Sequence, residues 1–197
     1  MAKVFYFLVT FLESTLAVFG IRSPLEQPQY RVLATYAHTV EIRAYGPMEV
    51  VETSTDGNEG DAFRRLFSYI TGANRTGATI KMTAPVAQTG GARFGGKPAA
   101  GEAMAMQFVL PTSVAADPPA PTDPAVQLAQ VPARTLAVIR FSGNFSRSNL
   151  YAHLVTLRKV LAEAGRKSEG APIFFGYDPP FTIPFLRRNE VALAVEG

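Results

Sequence analysis

The sequence predicts one α+β domain made of two similarly patterned halves. Two segments place their apolar residues at the spacing of a helix, and short segments around them alternate or cluster apolar residues as strands do. Each half therefore has the order strand, helix, strand, strand. A connector with five prolines, residues 111–124, joins the halves and is predicted to be stiff and exposed. Few residues are identical between the halves, so the repeat is one of pattern alone.

Eight segments have the composition of strands, which are rich in β-branched and aromatic residues. They are residues 30–36, 40–45, 48–55, 80–88, 104–110, 135–141, 173–177 and 190–195. The fourth segment contains Pro85, which lacks a backbone N–H, and this predicts an edge strand or a bulge there. A glycine-rich loop over residues 90–101 separates the fourth segment from the fifth.

Two helices are predicted from apolar stripes. The first stripe has the i, i+3, i+4, i+7 spacing and consists of Phe63, Leu66, Phe67 and Ile70. Asp61 is its expected N-cap and Gly72 its expected stop. The second helix is expected over residues 148–164, and Gly165 ends it. Its apolar residues follow a 4-3-4-3 spacing and are Leu150, Leu154, Leu157, Leu161 and Ala164.

The N-terminus is predicted to form a hydrophobic segment and linker over residues 1–29, before a domain over residues 30–197. Apolar runs cover residues 4–12 and 16–21. Their length fits the core of a signal peptide, but Glu13 interrupts them and they are short for a spanning helix. The segment is therefore an exported or anchored N-terminus, an amphipathic helix on the domain or on a membrane, or a core helix.

Among these alternatives, an exported or membrane-associated protein is favoured slightly over a cytoplasmic one. Residues 3–21 are then the part that contacts the membrane. We expect residues 1–20 to form a helix outside the domain. The two prolines in residues 22–29 predict a linker after it.

Composition excludes several classes of function. The chain has no cysteine, so disulfides, thiolate metal sites and cysteine nucleophiles are absent. Apolar residues make up 47% and charged residues 18%, which is typical of a folded protein. The net charge is only +3, and no dense stripe of Lys and Arg exists to follow a phosphate backbone. Nucleic acid is therefore not expected as a partner.

Motifs for catalysis and phosphate binding are mostly missing. The sequence contains neither an HExxH metal motif nor a GxSxG nucleophile motif. Gly91, Gly96 and Lys97 have the spacing of a phosphate-binding loop. Pro98 follows them, so the hydroxyl that would bind Mg²⁺ is missing. A flexible hairpin loop is the favoured interpretation.

Four titratable residues remain as candidates. His153 lies at the edge of the second apolar stripe, where an imidazole can ligate haem iron or form a structural hydrogen bond with a carbonyl. His38 lies in a tight turn and is expected to be exposed. Glu41 and Glu52 lie in strands among apolar neighbours, and they are the first carboxylates to consider if the protein is an enzyme.

Six strings, in order along the chain, resemble the SOUL haem-binding protein family. They are VEIRAYGPMEVVET at 40–53, AFRRLFSYITGAN at 62–74, IKMTAPVAQ at 80–88, QFVLP at 107–111, IRFSG at 139–143 and PPFTIPFLRRNEV at 179–191. The similarity extends from about Tyr30 to Val195. It implies a distorted eight-stranded β-barrel with two helices, built from two pseudo-repeats of strand-helix-strand-strand.

The resemblance also implies that haem or a related tetrapyrrole binds without covalent attachment in an apolar surface pocket beside the first helix. A porphyrin is a flat apolar plate with two carboxylates, so the pocket needs apolar walls and cations at its rim. The site residues implied are Phe63, Arg64, Arg65, Phe67, Ile70, Lys81 and Met82. The apolar stripe is equally compatible with ordinary core, and the arginines with a solvated face. No histidine lies in residues 63–70, so an axial histidine is not expected.

The function implied is binding without catalysis, as a carrier, a buffer or a sensor. The alternative is an effector-binding or interaction module for another flat small molecule, because the same fold serves such domains. An enzyme is the third class, and it would need a buried carboxylate in the cleft. The spacing of Glu41 and Glu52 does not make them an acid and base pair.

Overall fold

The computed structural model describes residues 25–55, 58–89 and 104–196. The helix predicted over residues 1–20 and the loop predicted over residues 90–101 lie outside the described residues. Among the helices of the described part, none is long and apolar enough to cross a membrane.

The described residues form one antiparallel sheet of nine strands. The strands are β1 Tyr30–Tyr36, β2 Val40–Tyr45, β3 Met48–Ser54, β4 Val86–Thr89, β5 Ala105–Val109, β6 Gln127–Val131, β7 Arg134–Phe141, β8 Ser168–Gly176 and β9 Asn189–Val195. Their spatial order is β1-β2-β7-β9-β8-β4-β5-β3-β6. The α+β class is confirmed. The expectation of eight strands closed into a barrel is corrected, because the described residues form nine strands, with β1 and β6 at the two edges of a sheet that does not close.

The ninth strand, β6, was missed in the sequence. Its five residues, QLAQV, include two glutamines and only one β-branched residue, so they lack the usual strand composition. β6 nevertheless pairs with β3 along its whole length, from Met48 opposite Val131 to Glu52 opposite Gln127. Pairing with a preformed neighbour therefore overrides weak local preference.

In the part of the chain that the structure describes, three α-helices accompany the sheet: α1 Glu59–Ile70, α2 Thr112–Ala115 and α3 Arg147–Glu163. The expected N-cap of α1, Asp61, lies inside the first turn. Asn58 is the N-cap instead, because its backbone is extended and its side chain accepts a hydrogen bond from the backbone N–H of Asp61. Gly72 follows the helix with a φ of +123°, as expected for a stop.

Both long helices cover the same face of the sheet. Val86 of β4 packs in the α1 cluster and Phe174 of β8 in the α3 cluster. Ala87 and Phe175 lie directly opposite each other in the β4–β8 ladder and point to the other face. We call that second face, on which no helix of the described residues packs, the helix-free face.

The apolar stripe of α3 is confirmed as core. The buried residues of this helix are Leu150, Leu154, Leu157 and Leu161, each at most 1% exposed. They pack on the inward residues of β2, β7 and β9. Ser146 caps the helix, and the chain turns at Gly165, which has a φ of +64°.

The proline in the fourth predicted strand does not mark an edge. The strand begins at Val86, one residue after Pro85, and β4 pairs with β5 on one side and β8 on the other. The edge-strand expectation was therefore wrong. Pro85 stands outside the ladder, so its missing N–H removes no hydrogen bond from the sheet.

Two predicted connectors pack on the domain. Glu26 forms a bridge with Thr83, and its carboxylate accepts a hydrogen bond from the N–H of Thr112. In the proline-rich segment, the carbonyl of Pro119 accepts a hydrogen bond from the Tyr69 hydroxyl at the end of α1. Strand-helix-strand-strand occurs twice in the element order, as β3-α1-β4-β5 and β7-α3-β8-β9. A pseudo-twofold relation between the two units stays a prediction.

Candidate functional site

Helix α1 divides the predicted stripe between the core and the surface. Leu66 and Ile70 are 0% and 4% exposed and pack with Val51 and Phe108 of the sheet. Ile70 is therefore part of the core, where it supports the helix from below. Phe63 and Phe67 are 38% and 47% exposed on the flank of the same helix. An amphipathic helix has no need to expose two phenylalanines, so they form an apolar surface patch.

The two exposed phenylalanines form an ordered pair. Their ring centroids are 5.9 Å apart, and the ring planes differ by 14°. The Phe63 ring also contacts the Phe108 ring in an edge-to-face arrangement, with centroids 5.4 Å apart and planes at 62°. Stacked and edge-to-face contacts of this kind hold aromatic rings in fixed orientations. We call Phe63 and Phe67 the phenylalanine patch.

The arginines beside the patch already have partners. Arg64 forms a salt bridge with Asp61, and three quarters of the Arg64 side chain remain exposed. Arg65 donates from Nε to the Thr53 hydroxyl at 3.0 Å and from Nη2 to the Ser54 carbonyl. Arg65 therefore ties α1 to β3. Arg64 is the arginine that can turn towards a ligand, because exposed salt bridges are weak.

A cavity of about 300 Å³ lies beside these arginines. Its charged lining residues are Asp61, Arg64, Arg65 and Asp123. Two carboxylates therefore face two guanidiniums, and the cavity has no excess of positive charge to attract a propionate.

Lys81 and Met82 complete the predicted set. Lys81 is exposed. Met82 is half-buried and packs against the α1 cluster that contains Leu66 and Phe108. The side chains of the set that are available to a ligand are thus the phenylalanine patch, Arg64, Lys81 and part of Met82.

Both histidines lie away from α1 in the sequence and in the fold. His153 of α3 is half-buried, and its ring stacks on Phe141 with centroids 4.0 Å apart. Its Nδ1 lies 2.8 Å from the carbonyl of Asn149. Because a carbonyl only accepts, Nδ1 carries the proton. His38 is exposed in the β1–β2 turn, with a φ of +57°. The described residues contain no group of three or more His, Asp or Glu side chains that could hold a metal ion.

The two candidate carboxylates are engaged on the helix-free side of the sheet. Glu41 pairs with Arg43 at 2.7 Å. Glu52 accepts a hydrogen bond of 2.7 Å from the amide of Gln107. They lie on different strands and bind different partners, so they do not form an acid and base pair.

A buried ionic cluster on the helix-free face was not predicted. Glu190 is fully buried and accepts from Arg43 at 2.9 and 3.3 Å, from Arg188 at 2.7 and 3.0 Å and from the Tyr177 hydroxyl at 2.8 Å. Arg188 also lies over the Tyr177 ring, 3.8 Å from its centroid. Two arginines and one hydroxyl thus surround one carboxylate, which satisfies it fully.

This cluster shifts the pKa values of its members. Burial raises the pKa of the Tyr177 hydroxyl far above its usual range, and the adjacent Glu190 charge adds to the rise. Burial works to lower the pKa of Arg43, but the charge and hydrogen bonds of Glu190 outweigh it and raise that pKa. Arg43 and Arg188 therefore stay charged. The only hint in the sequence was the RRNE string, since Arg43 is distant from it along the chain.

Arg134 is a second unusual cation on this face. Its Nε is buried and has no hydrogen-bond partner among the described residues. Burial lowers the pKa of Arg134. The enclosed cavity beside it has a volume of only about 20 Å³, which is room for about one water molecule. A porphyrin does not fit there.

A family model and two sequence relatives of this chain carry heme-binding names. A family model described as "SOUL heme-binding protein" matches residues 25–194. The chain is 31% identical over 179 residues to heme-binding protein 2 of Mus musculus, covering 86% of this chain and 85% of that protein. It is 33% identical over 159 residues to heme-binding protein 2 of Homo sapiens, covering 78% and 76%.

A solved structure shares the architecture at low sequence identity. The crystal structure of the EcmrR C-terminal domain superimposes with a TM-score of 0.53 and 14% identity, covering 85% of this chain and 98% of that chain. At this identity the likeness concerns the fold alone.

Proposed function

This chain belongs to the SOUL heme-binding protein family, and from that premise we propose that it binds haem or a related tetrapyrrole without covalent attachment on the surface of α1. The observation that carries the proposal is the phenylalanine patch. Two ordered, exposed rings on one helix offer a flat porphyrin an apolar contact surface. Burying such rings under a ligand is favourable by the hydrophobic effect, and the stacking geometry adds to it.

The polar groups of this surface suit the carboxylate edge of a tetrapyrrole. Arg64 and Lys81 are both exposed, so their cations can reach propionates at the rim. Asp61 competes for Arg64. The contribution of charge is therefore smaller than that of the aromatic contact.

Iron is not expected to be essential. Helix α1 has no histidine. His153 lies on a different helix, α3, and its ring stacks on Phe141 of β7. A thioether is present in Met82, but this side chain packs into the α1 cluster.

The proposed role is that of a carrier, a buffer or a sensor rather than an enzyme, since Glu41 and Glu52 each bind a neighbouring side chain.

An effector-binding module for another flat molecule is the second candidate, because one fold can carry sites for different ligands. The two candidates differ in what the protein binds, so a ligand titration separates them. A module selective for another molecule would leave the absorbance spectrum of haemin unchanged.

An absorbance titration tests the proposal. We expect a 1:1 shift of the Soret band with haemin and equally saturable binding of metal-free protoporphyrin. His153→Ala should keep the affinity for haemin within about threefold, which is less than about 1 kcal/mol. Loss of the Soret shift in His153→Ala alone would show that iron ligation dominates, and absence of binding to both porphyrins would refute the proposed function.

A further inference from the structure

A large groove lies on the helix-free face, away from α1. Its volume is about 730 Å³, within the range of about 300 to 1,000 Å³ that is usual for small-molecule sites. The β1–β2 turn, strand β7 and the 3₁₀ turn Pro184–Leu186 line it. Its floor includes Glu41 and Arg43 of β2, which point away from the α3 side of the sheet. We call it the arginine groove.

The arginine groove has an excess of positive charge. Four arginines line it, Arg43, Arg140, Arg187 and Arg188. Glu190 and Glu41 neutralise Arg43 and Arg188. Within the described part of the chain, Arg140 and Arg187 form no ion pair, so the groove has two positive charges without counter-charge.

One of these two arginines is held in place. Arg187 donates from Nε to the carbonyl of Thr182 at 2.7 Å and from Nη2 to the carbonyl of Pro180. These bonds fix the guanidinium at the wall of the groove. Arg140 is exposed on β7, opposite Glu190 in the β7–β9 ladder. Because the Arg187 guanidinium is already held in place, binding a ligand to it costs little side-chain entropy.

Aromatic side chains stand beside the charges. Phe185 of the 3₁₀ turn is 72% exposed, the highest value among the large apolar residues of the described part. Tyr30 is 38% exposed, and the Arg43 guanidinium lies over its ring, 4.3 Å from the centroid. The groove therefore combines two unpaired cations with apolar rings, which is the lining expected for an anionic molecule with an aromatic body.

We propose that the arginine groove is a second binding site, separate from the α1 surface, for a small molecule that joins an aromatic body to two negative charges. The charges meet Arg140 and Arg187, and the body packs on Phe185. Two carboxylates or one phosphate monoester supply the same charge. A nucleic acid is disfavoured, because the cations converge in one concave groove instead of following a backbone.

The first test is calorimetric titration of the 197-residue chain with naphthalene-2,6-dicarboxylate. We expect 1:1 binding, and binding by the singly charged 2-naphthoate that is about tenfold or more weaker, because one charge-assisted contact is lost. Titration with 2-naphthyl phosphate separates the two sources of charge. Tighter binding of the phosphate assigns a phosphate ester to the groove, and tighter binding of the dicarboxylate assigns a dicarboxylate.

Charge reversal locates the site. Arg140→Glu should weaken binding of the dicarboxylate by about tenfold or more. The control is Arg158→Glu, which makes the same change in net charge on an exposed residue of α3, on the other face of the sheet. Arg140 forms no side-chain bond within the described residues, but a glutamate at this position stands opposite Glu190 in the β7–β9 ladder and lowers the melting temperature through like-charge repulsion. Arg140→Gln removes the cation without adding a like charge, so it should weaken binding and leave the melting temperature unchanged. Arg187→Glu should weaken binding too, but it also disturbs the 3₁₀ turn.

The outcomes separate this proposal from haem binding. Phe67→Ser should retain dicarboxylate binding, and Arg140→Glu should retain the haemin titration of the parent chain. The proposal is overturned if the parent chain does not bind the dicarboxylate, if Arg140→Glu binds it unchanged, or if Arg158→Glu weakens binding as much as Arg140→Glu. Failure of haemin binding alone would leave these three results unaffected.

Discussion

Arg43 of β2 and Glu190 of β9 form a buried ion pair, with Nη1 and Oε2 2.9 Å apart and the two residues 147 positions apart in the chain. They are 3% and 0% exposed. The pair joins two strands that are not adjacent, because β7 lies between β2 and β9. It therefore fixes the helix-free face across three strands and forms the inner support of the arginine groove.

Removing the central carboxylate should destabilise the protein strongly. Glu190→Gln leaves Arg43 and Arg188 buried or half-buried without their shared counter-charge, and we expect a loss of about 3 to 5 kcal/mol in the free energy of unfolding. Urea denaturation measures it. The control is Glu41→Gln. The Glu41 side chain is 37% exposed, so this variant should lose less than about 1 kcal/mol in the free energy of unfolding. Equal losses in the two variants would contradict the central role of Glu190.

Stability should fall at alkaline pH through Tyr177. Its pKa is raised in the folded state by burial and by Glu190, so above the usual tyrosine pKa of about 10 the unfolded chain releases a proton that the folded chain keeps. The stabilisation is complete below that pH and is lost as the pH rises, by up to about 1.4 kcal/mol per pH unit.

The comparison with Tyr177→Phe isolates this contribution. The variant lacks the hydroxyl, so its unfolding free energy should fall less steeply between pH 9.5 and 11, a window set by the usual tyrosine pKa of about 10. At neutral pH it should be less stable by about 1 kcal/mol, because the hydrogen bond to Glu190 is lost. Parallel pH profiles for the two proteins would exclude Tyr177 as the group that titrates.

Deletion of residues 1–20 tests the predicted N-terminal segment. If this segment lies outside the domain, the melting temperature of the remaining chain should stay within a few degrees. A drop equivalent to several kcal/mol, the scale of deleting buried side chains, would show that the segment is part of the core. Flotation of the longer and shorter chains with lipid vesicles then tests whether residues 3–21 contact a membrane.

Reversal of the exposed cation on α1 tests the carboxylate contact. Arg64→Glu should weaken the binding of haemin by about fivefold to tenfold if Arg64 meets a propionate. Porphyrin dimethyl esters, which lack the two charges, should bind the variant and the parent chain equally. Arg158→Glu is again the control for net charge. An unchanged affinity for haemin in Arg64→Glu would remove Arg64 from the site.

Local patterns in the sequence were sufficient for the helices. The leucine stripe of α3 predicted its core face because a helix buries every third or fourth residue, whatever its partners are. The stripe of α1 was ambiguous for the same reason. Periodicity places Phe67 and Ile70 on one side, but only the position of the sheet decides that Ile70 is buried and Phe67 exposed.

Features that depend on distant pairing were not predictable. β6 was missed because its own residues have weak strand preference and its partner β3 supplies the pairing. The role of Arg43 was missed because a charged residue in a strand that alternates apolar and charged residues normally faces solvent. Its partner Glu190, which also accepts a hydrogen bond from the Tyr177 hydroxyl, comes from the other end of the chain, and no spacing rule connects the two.

The central claim, that a tetrapyrrole binds to the phenylalanine patch, is tested most directly by titrating haemin into Phe67→Ser and Val155→Ser. Phe67 and Val155 are both 47% exposed, and they lie on different helices. We predict that Phe67→Ser weakens haemin binding by about tenfold or more, the scale of losing one aromatic contact, and that Val155→Ser binds as the parent chain does. Equal affinity in all three proteins would contradict the claim and place the porphyrin elsewhere.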